Sequence, residues 1–262
     1  MAIGLRRLGE NKLTNIEEDD NYIEYRNTPW DERAFGVKTI EIMNAELNSN
    51  NDILKKLENT IKGPALIYFR ADSNQQNIKK HMINNGYYIA ETSLHLYNYK
   101  IKSMDFNKPF KCNLELVDFL TDSDIQQIKN ISESAFQYSR FYEDPFIDTN
   151  KSKLRYVNWI SDLVNQEKDI LIYKNQDGDI ISFMFYEFIN SEKVDLILGG
   201  SKNGYGYMTP SFWASIMNNL QDKGVKKIDV LISASNIVIF NIYLKLGFLI
   251  KNTMFDYHKK ID

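Results

Sequence analysis

The stretch Lys193-Val-Asp-Leu-Ile-Leu-Gly-Gly-Ser-Lys-Asn-Gly-Tyr-Gly-Tyr-Met-Thr-Pro-Ser-Phe-Trp213 reads as a strand, a loop with four glycines and a helix. Phe212, Ile216 and Leu220 share one face of that helix, and Pro210 suits its first turn. Glycines let backbone N–H groups converge, and a helix N-terminus adds positive potential. Asn203, Gly204, Tyr205, Gly206, Tyr207, Met208 and Thr209 are therefore a candidate anion cradle for a pyrophosphate. A flexible turn explains the same residues equally well. Next, Lys227–Ser233 alternates as a strand does, and Ser235-Asn236 caps a helix that ends at Gly247. Ile237, Phe240 and Leu244 are expected on its core face. Tyr243 lies off that stripe, and an aromatic on a helix is usually packing.

Other chemistries find little support. His81, His95 and His258 have no metal-ligand spacing among themselves or with Cys112, so no metal is expected. Cys112 has no nearby histidine to activate it and reads as an indifferent thiol. One cysteine excludes an internal disulfide framework. The chain has 262 residues, 43% hydrophobic and 26% charged, with net charge −3. That composition fits a globular chain and gives no basic footprint for nucleic acid. No run approaches the roughly 18 apolar residues of a membrane span, and the N-terminus lacks a signal-peptide core. The expected compartment is the cytoplasm; the oligomeric state stays open, a homodimer included.

The elements that must position these residues follow from the hydrophobic pattern. Residues 1–21 are expected to be a loose polar leader. Ile53, Leu54, Leu57 and Ile61 mark a helix that Gly63-Pro64 ends, and Ala65–Phe69 suits a buried strand. Gln76–Asn84 reads as a second helix stopped at Gly86, followed by extended structure from Tyr87 to Tyr99. Gly86-Tyr-Tyr-Ile-Ala-Glu-Thr92 then resembles Gly247-Phe-Leu-Ile-Lys-Asn-Thr253, with glycine, aromatic, isoleucine and threonine at the same offsets. This echo predicts two related α/β units, residues 22–104 and 111–262, joined by a polar linker containing Asn107-Lys-Pro109. The second unit should open with a strand at Asn113–Val117. A helix capped by Thr121 or Asp122 follows, with Ile125, Ile128, Ile131 and Ala135 on one face. Another helix should carry Leu154, Tyr156, Val157, Trp159, Ile160 and Leu163. An antiparallel hairpin through Asp177-Gly178 comes next.

Strand, glycine loop, helix, strand, Asn-capped helix and Leu-Gly-Phe together resemble the GNAT acyltransferase superfamily, through Asn236-x6-Tyr243-x3-Gly247-Phe248. The likeness covers residues 111–262. It implies a mixed, mostly antiparallel sheet with flanking helices, preceded here by a smaller GNAT-like α/β half. It also implies acetyl-CoA, or another short acyl-CoA, as co-substrate. The pantetheine arm would then lie beside Leu196–Gly200, with a backbone N–H near Leu198 or Gly199 polarising the thioester carbonyl. Leu198, Gly199 and Gly200 thereby join the expected CoA contacts. Tyr243 would protonate the departing thiolate, and Asn236 would hold the pantetheine or phosphate portion. Asp195 and Glu187 are candidate bases, although strand carboxylates are more often surface pairs.

A narrower likeness is to two-domain GNATs that acetylate nucleotide-linked amino sugars, the TDP-fucosamine acetyltransferase type. It rests on Thr28-Pro-Trp30-Asp-Glu-Arg-Ala-Phe35-Gly36, on Ser139-Arg140-Phe141-Tyr142 and on Tyr156-x2-Trp159-Ile160. It implies that Arg140 holds the acceptor's diphosphate and that Tyr138 and Tyr142 stack on its base or sugar. One departure is visible. Where the superfamily has Arg or Gln before x-x-Gly-x-Gly, this chain has either Ser201 before Gly204 and Gly206 or, in a shifted placement, Gly204 before Tyr207 and Thr209.

Overall fold

The computed structural model describes residues 12–48, 52–101, 114–116 and 119–262. Residues 1–11, the linker residue Pro109 and Cys112 lie outside them. The chain forms two compact units. The first runs to Ser93 and includes Arg140–Arg155 and Asn252–Asp262; the second holds Leu94–Ser139 and Tyr156–Lys251. The division is interleaved, which differs from the consecutive 22–104 and 111–262 expected from the sequence. A composition shift marks a linker, but it cannot mark a boundary that falls inside a strand or helix.

Unit one contains β1 (Thr14–Glu18), β2 (Asn21–Asn27), α1 (Pro29–Phe35), β3 (Lys38–Glu46), α2 (Ile53–Asn59), β4 (Ala65–Asp72) and α3 (Gln76–Asn84). It also takes the first residues of β5 (Tyr88–Asn98), the first half of α5 (Thr149–Asn165) and the end of β11 (Leu249–Ile261). The stretch expected as a loose leader thus supplies β1. Its antiparallel pairing with β2 turns on Asp19, which adopts a positive φ of 52°. Unit two contains the remainder of those three elements. It adds β6 (Leu114–Leu116), α4 (Asp122–Ala135), β7 (Asp169–Lys174), β8 (Ile180–Asn190), β9 (Lys193–Ser201), α6 (Thr209–Asp222), β10 (Lys227–Ser233) and α7 (Ile237–Lys245).

The architecture is mixed and mostly antiparallel α/β, as the family resemblance implied. In each unit one strand pair is parallel: β3 with β4, and β9 with β10. The local signals behave as their chemistry requires. Thr121 accepts from the Asp124 N–H, and Asp124 reaches back to it, closing a capping box at α4. Gly86, at a φ of 79°, ends α3, and Gly178, at 85°, turns the β7–β8 hairpin. On α7 the expected phase is wrong. Ile242, Tyr243 and Leu246 are buried, whereas Ile237 and Leu244 are exposed. Ile-Val-Ile-Phe-Asn-Ile-Tyr-Leu is apolar almost all round, so periodicity alone could not choose the inward face.

The two units share a specific distortion. In unit two the parallel ladder runs from Lys193–Lys227 to Leu196–Val230 and stops, although both strands continue. At that point β8 skips a residue of β9: Tyr186 faces Leu196 and Phe185 faces Leu198, so Ile197 is bulged. In unit one the ladder ends at Ile42–Phe69, and Tyr25 and Glu24 face Ile42 and Asn44, so Met43 is bulged. A bulge bends and over-twists its strand. Each parallel pair therefore splays at the same place, and the echo between Gly86 and Gly247 is one end of a repeated β–α–β–α unit.

Unit one is held by a buried ionic core. Asp31, on α1, is fully buried and takes Arg155 Nε at 2.7 Å and the Tyr68 hydroxyl. Arg155 and Arg140 hold its carboxyl below the usual range even though burial works against them. Asp31 belongs to the stretch that resembles an amino-sugar transferase signature, and its contacts are those of a structural anchor. Removing one partner of a buried pair leaves the other charge uncompensated. Asp31→Ala is expected to lower unfolding free energy by about 3–5 kcal/mol, measured by urea denaturation. A loss below about 1 kcal/mol would remove this role.

Candidate functional site

Beyond Leu196 and Val230 the β9–β10 pairing ends, which frees the edge of β9 that would face β10. The two faces of β9 carry different chemistry. Val194 and Leu196 point into the core formed with α6 and α7, which includes Phe212, Ile216 and Tyr243. Asp195, between them on an alternating strand, points to the opposite face.

On that face Asp195 lies opposite Asp229 of β10. Asp229 accepts from Lys193 Nζ at 2.8 Å, contacts His95 Nε2 at 2.7 Å and accepts from the Tyr99 hydroxyl at 3.2 Å. Burial opposes its ionisation, but the hydrogen bonds and charges of His95 and Lys193 hold it down at about 2. Asp195 is in the reverse position. Burial first, then the charges of Asp229 and Glu187, push it up to about 6 against Lys193 and His95. Its Oδ1 is buried without a hydrogen-bond partner, and Lys193 stays 3.9 Å away. Glu187, the other candidate base, instead receives Lys168 Nζ at 2.6 Å. Two facing carboxylates with pKa values pushed apart are the pattern of an acid–base site. The sequence reading named Asp195 but could not rank it, because its partners His95 and Asp229 are 134 residues apart.

On the other face Tyr243 is 2% exposed and packs edge-on against Phe248 at 4.8 Å. Burial raises its phenol above the ordinary value, with Trp213 opposing. The phenol therefore keeps its proton at neutral pH. Asn236 is the N-cap of α7, its Oδ1 accepting from the Ile239 N–H at 3.3 Å. Its side-chain amide N–H groups remain as donors at the helix start.

The glycine segment divides into two parts. Gly199 and Gly200 lie in tight packing. A Cβ on Gly199 would sit 2.4 Å from Met184 Cε and 3.1 Å from the Phe183 carbonyl oxygen, and one on Gly200 would meet Ala135 of α4 at 3.3 Å. Leu198 is buried beside them. Asn203, Gly204, Gly206 and Tyr207 are exposed, and a Cβ at either glycine would meet open space. Gly204 has a φ of 85°, so it needs glycine for its backbone. Tyr205 stacks on Tyr207, and Met208 packs on the core. Gly206–Met208 form a single 3₁₀ turn before α6.

Thr209 is committed elsewhere, which corrects its expected cofactor role. Its N–H bonds the Gly206 carbonyl, and its hydroxyl joins a chain from Ser182 through Ser201. Ser201, where an Arg or Gln was looked for, ties β9 to α6.

Tyr138 is exposed in unit two, whereas Arg140 and Tyr142 belong to unit one. Arg140 is 3% exposed, 3.3 Å from Glu41 and 3.7 Å from Asp256, with its guanidinium over the Tyr68 and Phe141 rings. It is a core cation and not a surface diphosphate clamp. A charged residue between aromatics in a sequence gives no sign of which carboxylates will fold around it. Among the described residues no three His, Cys, Asp or Glu side chains are disposed to hold a metal, and no helix is long and apolar enough to cross a membrane.

Comparison with solved structures follows the fold. A GCN5-related N-acetyltransferase from Sphaerobacter thermophilus superposes with a TM-score of 0.61 at 12% identity, covering 93% of this chain and 77% of that one. A conserved protein from Staphylococcus epidermidis gives 0.61 at 11%, covering 94% of each. The chain has the GNAT fold. A tandem GNAT protein of the clavulanic acid biosynthesis pathway matches at 0.57 and 9%, over 92% of this chain and 78% of that one. No family model and no curated protein matches the sequence.

Two glycines separate packing from ligand access in this GNAT fold. Gly199→Ala is expected to lower the melting temperature by several degrees, since overpacking costs about 1–3 kcal/mol. Gly206→Ala should leave it unchanged, read by thermal unfolding. Equal losses would overturn the division.

Proposed function

We propose that unit two transfers an acyl group from acyl-CoA to a primary amine. The observation that carries this reading is the end of the β9–β10 pairing at Leu196–Val230, with a carboxylate of raised pKa, its Oδ1 without a hydrogen bond, on one face and a protonated tyrosine on the other. A thioester lying along the free edge of Leu198–Ser201 would be held as an added strand. Backbone N–H groups of that edge would polarise its carbonyl. The amine nitrogen attacks the carbonyl carbon and the C–S bond breaks. Asp195 accepts the proton shed by nitrogen, and Tyr243 gives one to the departing thiolate. A base with a pKa near 6 is ionised at neutral pH yet still basic enough to take that proton. The exposed turn Asn203–Tyr207 and the amide of Asn236 are the groups placed to meet the phosphate end.

For the acceptor we propose the amine of a nucleotide-linked sugar, probed with dTDP- and UDP-amino sugars, with Tyr138 stacking in place of the unavailable Arg140. This rests on the sequence likeness alone. The burial of Tyr243 favours a second reading, a ligand-binding GNAT fold without turnover. Release of free thiol from acetyl-CoA across a panel of amines separates the two.

Asp195 makes a sharper test because stability and activity should move in opposite directions. Its folded pKa lies above its ordinary value of 3.8. The stability it contributes is therefore complete below about pH 3.8 and lost as pH rises through about 6. Asp195→Asn should accordingly raise stability at pH 7.5 by about 1 kcal/mol, allowing for solvent screening, while lowering kcat at least about 100-fold. Wild-type kcat/KM should rise with pH through about 6. A mutant with wild-type turnover would exclude Asp195 as the base. Tyr243→Phe should lower turnover about 10-fold or more with little change in CoA affinity; turnover within a factor of about two would remove its role.

A further inference from the structure

A phenol is a poor acid for a thiolate. Its ordinary pKa is about 10, against about 8.5 for a cysteine-like thiol. Burial weakens Tyr243 further. Proton donation to a departing thiolate therefore runs uphill unless some group stabilises the phenolate as it forms.

The surroundings of Tyr243 narrow the choice of that group. The residue is 2% exposed and lies in the core that α6 and α7 share with β9 and β10. Phe248, edge-on at 4.8 Å, offers a developing charge no hydrogen bond. Among the described side chains that form this core, only Trp213 carries an N–H. Trp213 stands on α6, is 3% exposed and is set edge-on against Phe212 at 5.4 Å. Its Nε1–H is buried and has no hydrogen-bond acceptor. The indole is nevertheless near enough to the phenol to oppose the rise of its pKa. A buried N–H without an acceptor costs stability, so packing alone favours a phenyl ring at this position. The balance changes when the hydroxyl loses its proton. A neutral phenol oxygen accepts weakly, whereas a phenolate accepts a charge-assisted bond, which is stronger in a desolvated core.

We propose that Trp213 is a positioning residue for acyl transfer, its indole N–H donating to the Tyr243 oxygen as the hydroxyl proton passes to the thiolate sulfur. The inference rests on the acyl-transfer reading of unit two. In the step, the C–S bond breaks and sulfur takes the Tyr243 proton to leave as the thiol. Trp213 keeps its own proton throughout. The phenolate recovers one from water, and no further reactant is needed.

Two measurements on the full chain test this. There are three tryptophans, Trp30, Trp159 and Trp213, so isotope-labelled protein gives three indole N–H signals, assigned by through-bond correlations. Tyr243→Phe keeps the ring and deletes the hydroxyl. It is expected to shift the Trp213 signal and leave the other two in place. An unmoved Trp213 signal overturns the proposal whether or not the protein turns over. With acetyl-CoA and an accepted amine, Trp213→Phe should lower kcat about 5-fold or more with KM within about twofold. In a Tyr243→Phe background the same change should cost nothing further. Losses that multiply would place Trp213 in the packing alone and overturn its role. If Trp213→Phe fails to fold, the signal shift decides. A wild-type chain that releases no thiol removes the acyl-transfer reading and the role of Trp213 with it, whereas failure of the signal shift leaves that reading intact.

Discussion

The parallel ladder between β9 and β10 has to stop, and Ile197 is the reason. Parallel strands persist only while their twists match. One extra residue on β9, set against Phe185 and Tyr186 of β8, bends β9 away from β10 just after Leu196. The free backbone edge of β9 beyond Leu196 follows from that displacement. The bulge also explains why glycines sit where they do. After Ile197 the alternation is reset, so Gly199 lies under Met184 and Gly200 under α4. Side chains at those positions would push β9 out of place.

The electrostatics of the site follow from how cations are shared out. Lys193 is close to both Asp195 and Asp229 but gives its hydrogen bond to Asp229, at 2.8 Å against 3.9 Å. His95 and Tyr99 make the same choice. Asp229 is therefore over-supplied and strongly acidic, and it adds a negative charge beside an already desolvated Asp195. The raised pKa of one carboxylate is a consequence of the satisfaction of the other. A buried carboxylate left without a partner costs stability, and folding alone gives no reason to keep it.

Much of this was legible in the sequence, for physical reasons that differ by element. Gln76–Asn84, the β7–β8 hairpin and the capping box at Thr121 rest on local chemistry and were read correctly. The acidic stretch around Glu17 was not, because β1 is an edge strand and needs only one apolar contact, Ile16, on its partner face. The sequence likeness led to Tyr243, Asn236 and the glycine turn. It misjudged Arg140, whose partners Glu41 and Asp256 are brought together only by the tertiary fold. Nothing local distinguishes a surface guanidinium from one that will be enclosed. The bulges, which organise both units, leave no compositional trace, since Ile197 and Met43 are ordinary strand residues.

The repeated interruption of the ladder places the same backbone geometry in two different electrostatic settings. In both units a carboxylate sits one residue before the last ladder pair. The difference lies in the cations that reach it. Arg26 and Arg140 converge on Glu41, and the Arg140 guanidinium is itself fixed by Asp256 and by the rings of Tyr68 and Phe141. Glu41 is thereby fixed inside an ionic core. Around Asp195 the cations are drawn off by Asp229, and the carboxylate keeps a proton affinity close to neutrality. The same position in two copies of one motif thus carries a fully paired carboxylate in one unit and a carboxylate of raised pKa in the other. Rigidity in unit one follows from completing the ion pairs that unit two leaves incomplete.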